Sequence, residues 1–421
     1  MYDFDTPINR IGINAYATDL FRKNLLHVAA DAPLSYKDED FIPMWVADMS
    51  FAAPDFITKR ITKALENNFL GYTEMHAPIN PRYRQLFDGW CQRQYDWCFS
   101  KEELFLSTGI VPALRELIGM ITKADEKVLI LTPSYPPFKG SALYNSRECV
   151  YCPLIDNNGY YTIDFELLEK QAADEKTTLL LFCNPHNPSG RLWSKDELKQ
   201  VADIVKEHNL WVISDEIHCD LLRSGLKHLP LAKVMADYDR LVSCVTPSKT
   251  FNLGGILLAN ILIRSPWLQK EWQSLHYFAD NPLSIAAAEA AYEHGDEYVR
   301  ELRQYLDDNF AFAADFIKEH LPKTKLRIPQ ATYLAWLDLR GYREPQEGWT
   351  DFFAYKAGVL LEDGKMFVGN GDGYVRINIA CPRSVVQEAL TRMAKVLNTP
   401  CAPKGAYEAG TKRQFRQKII R

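Results

Sequence analysis

The 421-residue chain carries a formal net charge of −5, with 47% hydrophobic and 24% charged residues, the balance of an ordinary globular protein. Its length exceeds what one core usually fills, so two lobes are expected, and the mild acidity gives no reason to expect nucleic acid or an anionic membrane surface as partner. No apolar run approaches the ~20 residues that span a bilayer, the acidic start Met1-Tyr2-Asp3-Phe4-Asp5 is unlike a signal peptide, and nine cysteines without framework spacing suit reduced thiols in a cytosol.

Residues 1–50 show little periodicity before 41–49. From 54 to 69 the apolar residues Phe56, Ile57, Ile61, Ala64, Leu65 and Phe69 repeat at helical spacing behind Pro54. Gly71-Tyr72-Thr73 breaks that helix, and a second is predicted over 81–95. A strand at 104–106 then runs through Ser107-Thr108-Gly109 into a helix. Free N–H groups at such a start bind phosphate, and Gly109 lets the backbone come close; many turns of this kind hold nothing. Further strands are predicted at 128–132, 177–183, 210–214, 241–245 and 256–263. Helices separate them, one capped by Ser194 and running to about His208. Cys149 and Cys152 form a C-x-x-C inside 148–154, which reads as a buried strand rather than a redox or zinc site. A long helix over 284–320 leads to a second lobe with strands at 333–339 and 374–380 and helices at 349–357 and 383–397. Residues 400–421, with Lys404, Lys412, Arg413, Arg416, Lys418 and Arg421, read as a basic, solvated tail.

Alternating short strands and amphipathic helices predict an α/β fold with a mainly parallel sheet. Ligands of such sheets sit beyond the strand C-terminal ends. Asn184, Asp215 and Lys249 all fall at such ends. Taken alone, Lys249 is an exposed surface lysine; with a neutral amine it is a Schiff-base lysine. Asp215 closes an apolar strand, where a carboxylate needs a partner. A pyridinium nitrogen is one such partner; a helix cap or a salt bridge are the others. His218, Cys219 and Asp220 lack the converging ligands of a metal site, and no metal is expected.

Three segments carry a resemblance: Asn184-Pro185-His186-Asn187-Pro188-Ser189-Gly190, Ser214-Asp215-Glu216-Ile217-His218 and Pro247-Ser248-Lys249-Thr250-Phe251-Asn252-Leu253. With Trp45-Val46-Ala47-Asp48-Met49, Gly71-Tyr72-Thr73, 108–114, 135–138 and 375–383, they resemble the fold-type I pyridoxal phosphate (PLP) enzymes of aminotransferase class I/II. More narrowly, the chain is similar to the MalY/PatB-type cystathionine β-lyases, over about residues 1–397. The resemblance implies a large PLP-binding domain over 51–285 and a small C-terminal domain over 286–397. Residues 1–50 would pack with the small domain, and 398–421 form the tail.

It also implies roles. Lys249 would carry the Schiff base and remove the α-proton. Asp215 would hold the pyridine nitrogen protonated, Asn187 and His218 would lie near the phenolic oxygen, and Tyr135 would stack on the ring. Gly109, Ile110 and Val111 would offer backbone N–H groups to the phosphate, helped by Thr246 or Ser248. Tyr72 would reach the neighbouring subunit's cofactor phosphate and assist proton transfer. Arg376 would fork onto the substrate carboxylate, with Asn187 and Ala47 beside it. A cytoplasmic homodimer acting on a small amino-acid substrate follows. The implied reaction is β-elimination from an L-cysteine thioether; the alternatives are an aminotransferase on the same scaffold and a regulatory protein that keeps the fold. The chain departs from the pattern at Ser50, where an aspartate is expected, and at Gly254-Gly255-Ile256-Leu257. It also has no basic residue from 251 to 263.

Overall fold

The computed structural model describes residues 1–66, 68, 71, 79–276 and 281–399. Tyr72 and the basic tail from residue 400 onward lie outside them.

Seven strands form the main sheet: β1 (Leu104–Ser107), β2 (Lys127–Thr132), β3 (Glu148–Pro153), β4 (Thr177–Cys183), β5 (Trp211–Asp215), β6 (Leu241–Val245) and β7 (Ala259–Ile263). Their order is β1-β7-β6-β5-β4-β2-β3. Only β7 runs antiparallel to its neighbours; every other pairing is parallel. The α/β class with a mainly parallel sheet is therefore what the chain adopts. Central strands read as unbroken apolar runs because both faces are covered. On β4, Leu180 and Phe182 join one core with Trp193 and Leu198. Leu179 and Leu181 join another, with Ile110 and Leu114. Each such fully buried side chain contributes about 1.5–3 kcal/mol.

The helices begin where the sequence offers caps. Asn80 accepts the Arg82 N–H at 2.9 Å ahead of α1 (Pro81–Tyr95). Ser194 and Glu197 form a reciprocal capping box at α2 (Lys195–Glu207). Asn281 caps α3 (Pro282–His320), whose 39 residues span ~58 Å at the helical rise. That length lets α3 serve two cores, with Ala287 to Leu306 in the first and Phe310, Ala313 and Ile317 in the second. The second core backs a four-stranded antiparallel sheet. There β8 (Leu334–Asp338) lies between Lys325–Leu326 and β10 (Tyr374–Asn378), and β9 (Glu362–Asp363) forms the far edge. Phe21, Leu25, Phe41 and Trp45 pack with Ala354 and Leu360. Phe4 instead packs with Phe51 and Tyr305.

Two expectations change. The predicted strand at 256–263 begins only at Ala259. Gly254–Ile256 forms a 3-10 turn, and Leu257 has φ +57° and is 60% exposed. The apolar run there is a turn followed by a shorter strand. The helix expected from 54 is Asp55–Leu65; its last predicted residue, Phe69, lies outside the described residues.

Candidate active site

Register brings the sheet's functional ends level. Cys183 on β4 pairs with Asp215 on β5, and Asp215 pairs with Cys244 on β6. The polar segments after these strands therefore open on one side of the sheet.

Asp215 is 4% exposed and accepts the Ile217 N–H at 3.1 Å. It makes no salt bridge with any described residue. Burial pushes its carboxyl up to about 7, against the pull of the Ile217 N–H and the more distant Lys249. His218 follows, 1% exposed, with its Nδ1 lacking any hydrogen-bond partner among the described residues. Burial pulls its imidazole down to about 3, with Lys249 and Arg376 adding to the effect, so the ring is neutral. Beneath these residues, Glu216 pairs with His228 Nε2 at 2.6 Å and accepts Ser214 Oγ at 2.8 Å. Asp220 accepts Thr250 Oγ1 at 2.8 Å and the Tyr95 hydroxyl. Asp220 thus ties the segment after β5 to the turn that carries Lys249.

Lys249 is half-buried, and its Nζ donates to the Ala47 carbonyl at 2.8 Å. Desolvation lowers its pKa, partly opposed by Asp48. The shift is toward the neutral amine that a nucleophile or base requires. Thr246 Oγ1 donates to the Leu258 carbonyl at 2.7 Å and accepts the Ser248 N–H at 3.1 Å. Ser248 Oγ has no partner among the described residues.

After β4, Asn187 is 6% exposed and its Oδ1 accepts Arg376 NH1 at 3.1 Å. Gly190 closes this loop at φ +66°; a Cβ there would stand 2.3 Å from Pro329 Cβ. Only glycine fits. Gly109 precedes the helix Ile110–Ile121, which no side chain caps, so the N–H groups of Ile110 and Val111 remain available. The Tyr135 ring, half-buried at the head of Pro136–Tyr144, has its hydroxyl pushed up to about 12 by burial.

The remaining side is built by the small sheet and residues 45–50. Arg376, 3% exposed on β10, donates from NH2 to the Trp45 carbonyl at 3.2 Å and forms an ion pair with Glu362. Its Nε has no partner among the described residues. Burial raises the Glu362 carboxyl above its ordinary value, opposed by Arg376. Tyr333 donates to the Ala47 carbonyl at 2.9 Å. Asn378 Nδ2 donates to the Val46 carbonyl at 2.8 Å, and Asn252 grips Met49 through both amide atoms, at 2.9 and 2.8 Å. The sequence assigns no role to Glu362, Tyr333, Asn252, Asn378 or Asp220. Asn252 and Asn378 lie inside the quoted motifs and Asp220 two residues past one, whereas Glu362 and Tyr333 lie in none.

A seven-stranded sheet with a lysine, an aspartate and an asparagine at its strand exits defines a class. The aminotransferase class I and II family model matches residues 40–393, and the chain belongs to this family. Among its relatives is the cystathionine β-lyase PatB of Bacillus subtilis, 35% identical, with 85% of this chain and 93% of that protein aligned. Protein MalY of Escherichia coli is 28% identical over 85% and 92%. Among solved structures, a PLP-bound C-S lyase from Staphylococcus hominis complexed with L-cycloserine matches at TM-score 0.90 and 43% identity, covering 94% of this chain and 98% of that one. Cystalysin from Treponema denticola, which contains PLP, matches at 0.87 and 32%, covering 94% and 99%. The chain has the fold-type I architecture of PLP-dependent transferases.

Proposed function

We propose that this protein is a PLP-dependent carbon–sulfur β-lyase. It cleaves an L-cysteine thioether such as L-cystathionine and, with one water, releases a thiol (here homocysteine), pyruvate and ammonia. The observation that carries the reading is a desolvated lysine amine, a buried carboxylate without a salt bridge among the described residues and an arginine joined by Asn187, all converging beyond the exits of β4, β5 and β6.

The residues suit the cofactor. Asp215 is a buried acceptor that a pyridine N–H would satisfy, and the His218 Nδ1 and Ser248 Oγ have no partners among the described residues. The uncapped N–H groups of Ile110 and Val111, with Gly109 before them, suit the phosphate. Thr246 has given its hydrogen to Leu258, so Ser248 is the freer hydroxyl. Asn187 and Tyr135 would flank the ring. When bound, PLP supplies an aldehyde for amines and an electron-poor ring that stabilises negative charge at the substrate α-carbon.

The chain's own groups do the rest. Arg376, with Asn187 and the Ala47 segment, holds the substrate carboxylate so that the Cα–H bond faces Lys249. The Lys249 amine, its pKa lowered by desolvation, takes that proton at Nζ. The Cβ–S bond then breaks and the sulfur leaves as a thiolate. L-cystathionine given to the PLP-loaded protein should yield pyruvate. Amino transfer to a 2-oxo acid without pyruvate would make it an aminotransferase instead, and a protein that Lys249→Ala leaves spectrally unchanged with PLP would end the reading.

The working unit is proposed to be a homodimer in which Tyr72 reaches the neighbouring site. Leu65, Leu257 and Leu275, 42%, 60% and 62% exposed, suit cover by a second copy; a monomer by light scattering that keeps full turnover would refute this. No helix among the described residues is long and apolar enough to cross a membrane. A cytoplasmic location is proposed from the eight free cysteines among the described residues. The lobe boundaries at 51, 285 and 397 are proposed on the same footing.

A further inference from the structure

We infer that Glu362 occupies the seat of the substrate α-carboxylate on Arg376, and so sets how tightly ligands that carry a carboxylate bind. The inference rests on the reading of Arg376 as the carboxylate clamp.

A guanidinium has five N–H groups, and a carboxylate is held bidentately only by two parallel N–H bonds on one edge. The two usable edges pair NH2 with NH1 and NH2 with Nε, so both need NH2. In this protein NH2 donates to the Trp45 carbonyl at 3.2 Å and is covered by Glu362 Oε2, an ion-pair contact without a hydrogen bond, while NH1 donates to Asn187 Oδ1 at 3.1 Å. What remains is Nε, without a partner among the described residues, and one hydrogen on NH1. These lie on different edges. No open fork is left.

Of the NH2 partners, the Trp45 carbonyl is backbone, and its own indole is anchored to the Ala17 carbonyl at 3.0 Å. Glu362 is the one that can swing away. It sits directly across from Arg376 in the β9–β10 register, and the two side chains are 18% and 4% exposed. The pair is thus a built-in carboxylate–arginine contact, largely shielded from water, in the place the substrate carboxylate needs. An incoming carboxylate must displace Glu362 or share one arginine with a second anion, which is costly away from water. A ligand without a carboxylate leaves Glu362 in place, so the contact weighs only on ligands that carry one and sets how tightly they bind.

The test uses the PLP-loaded protein, with propionate as an unreactive carboxylate probe followed by calorimetry, and the KM for L-cystathionine. Glu362→Gln keeps the shape and removes the competing charge. It is expected to bind propionate roughly tenfold tighter and to lower KM by a similar factor, since a charged acceptor holds an arginine far better than a neutral one. Propionate affinity and KM that stay unchanged or weaken overturn the inference, because Glu362 would then only support Arg376. Should Glu362→Gln fail to hold PLP by its visible absorbance, Glu362→Asp, one methylene shorter, carries the same expectation and the same overturning result. Arg376→Gln separates the two readings. If it abolishes propionate binding while the Glu362 variants change nothing, only the present inference falls. If it leaves propionate binding and KM intact, Arg376 is not the clamp and both fall.

Discussion

The strand-exit side of the site and the clamp side are held in different ways. Asp215 is the last residue of its strand, and Asn187 and Lys249 each come four residues after theirs. Their places are set by the backbone ladder of a sheet buried on both faces. On the clamp side Arg376 stands in a sheet of its own, but the segment facing it has backbone bonds to that lobe only at its ends, Met44 and Ser50. Residues 45–49 between them reach the site through side-chain contacts with Arg376, Asn378, Tyr333 and Asn252, across up to 332 residues of sequence. Each such bond is worth only about 0.5–1.5 kcal/mol net. The exits should therefore keep their geometry when a functional side chain is removed, whereas the clamp should loosen with the loss of one amide.

Substitutions at the exits probe the first half of that contrast. Lys249→Ala is expected to lower pyruvate release roughly 10⁴-fold, the upper range for loss of a proton-transfer group. Its melting temperature without cofactor should stay near that of the parent. A large fall in stability would mean the exit is not framed by the sheet. Asp215→Asn should abolish most activity yet stabilise the cofactor-free protein in a pH-dependent way. The Asp215 carboxyl rises from 3.8 to about 7 on folding, so its charged form opposes folding. That penalty is absent below about pH 4, grows as pH rises, and is complete above about pH 7, reaching at most ~4 kcal/mol. Urea melts of both cofactor-free proteins should coincide near pH 4 and diverge in favour of the asparagine variant near pH 8. Gly190→Ala strikes where the two sides meet. With φ +66° and contacts of 2.3 Å to Pro329 Cβ and 2.9 Å to the Ala331 carbonyl, it should cost about 2–4 kcal/mol, read from the same melts.

The same contrast explains what the sequence revealed. A strand followed by a polar turn is a local pattern, so β4, β5 and β6 and the residues just beyond them stood out, and the α/β class followed from their alternation. The motif around Arg376 is visible by resemblance, as are its partners Asn187 and Trp45, but Glu362 is not. Glu362 meets Arg376 through a cross-strand register, and Tyr333 meets Ala47 across 286 residues. Neither pairing leaves a spacing in the sequence. Ile256 to Ile263 is nearly all apolar, so the pattern alone carries Leu257 into a strand. Composition does not register that Leu257 adopts φ +57° and faces outward.

Asn252 gives the finest test of the softer side. Its amide closes a two-bond bracket on the Met49 backbone, and its own backbone sits at φ +56°. Asn252→Gly keeps that conformation accessible and deletes both bonds, for an expected loss of ~1–2 kcal/mol. Asn252→Ala deletes the same bonds and adds about 1 kcal/mol for a left-handed residue with a Cβ. Stability should therefore rank Asn, Gly, Ala. The KM for L-cystathionine should rise severalfold and equally in both variants, because catalysis feels the released 47–49 segment rather than the backbone strain. A KM that follows the stability ranking would tie the clamp to general loosening of the fold. A KM unmoved in both would show that Asn378 and Tyr333 hold residues 46–48 without help, making the clamp as well framed as the strand exits.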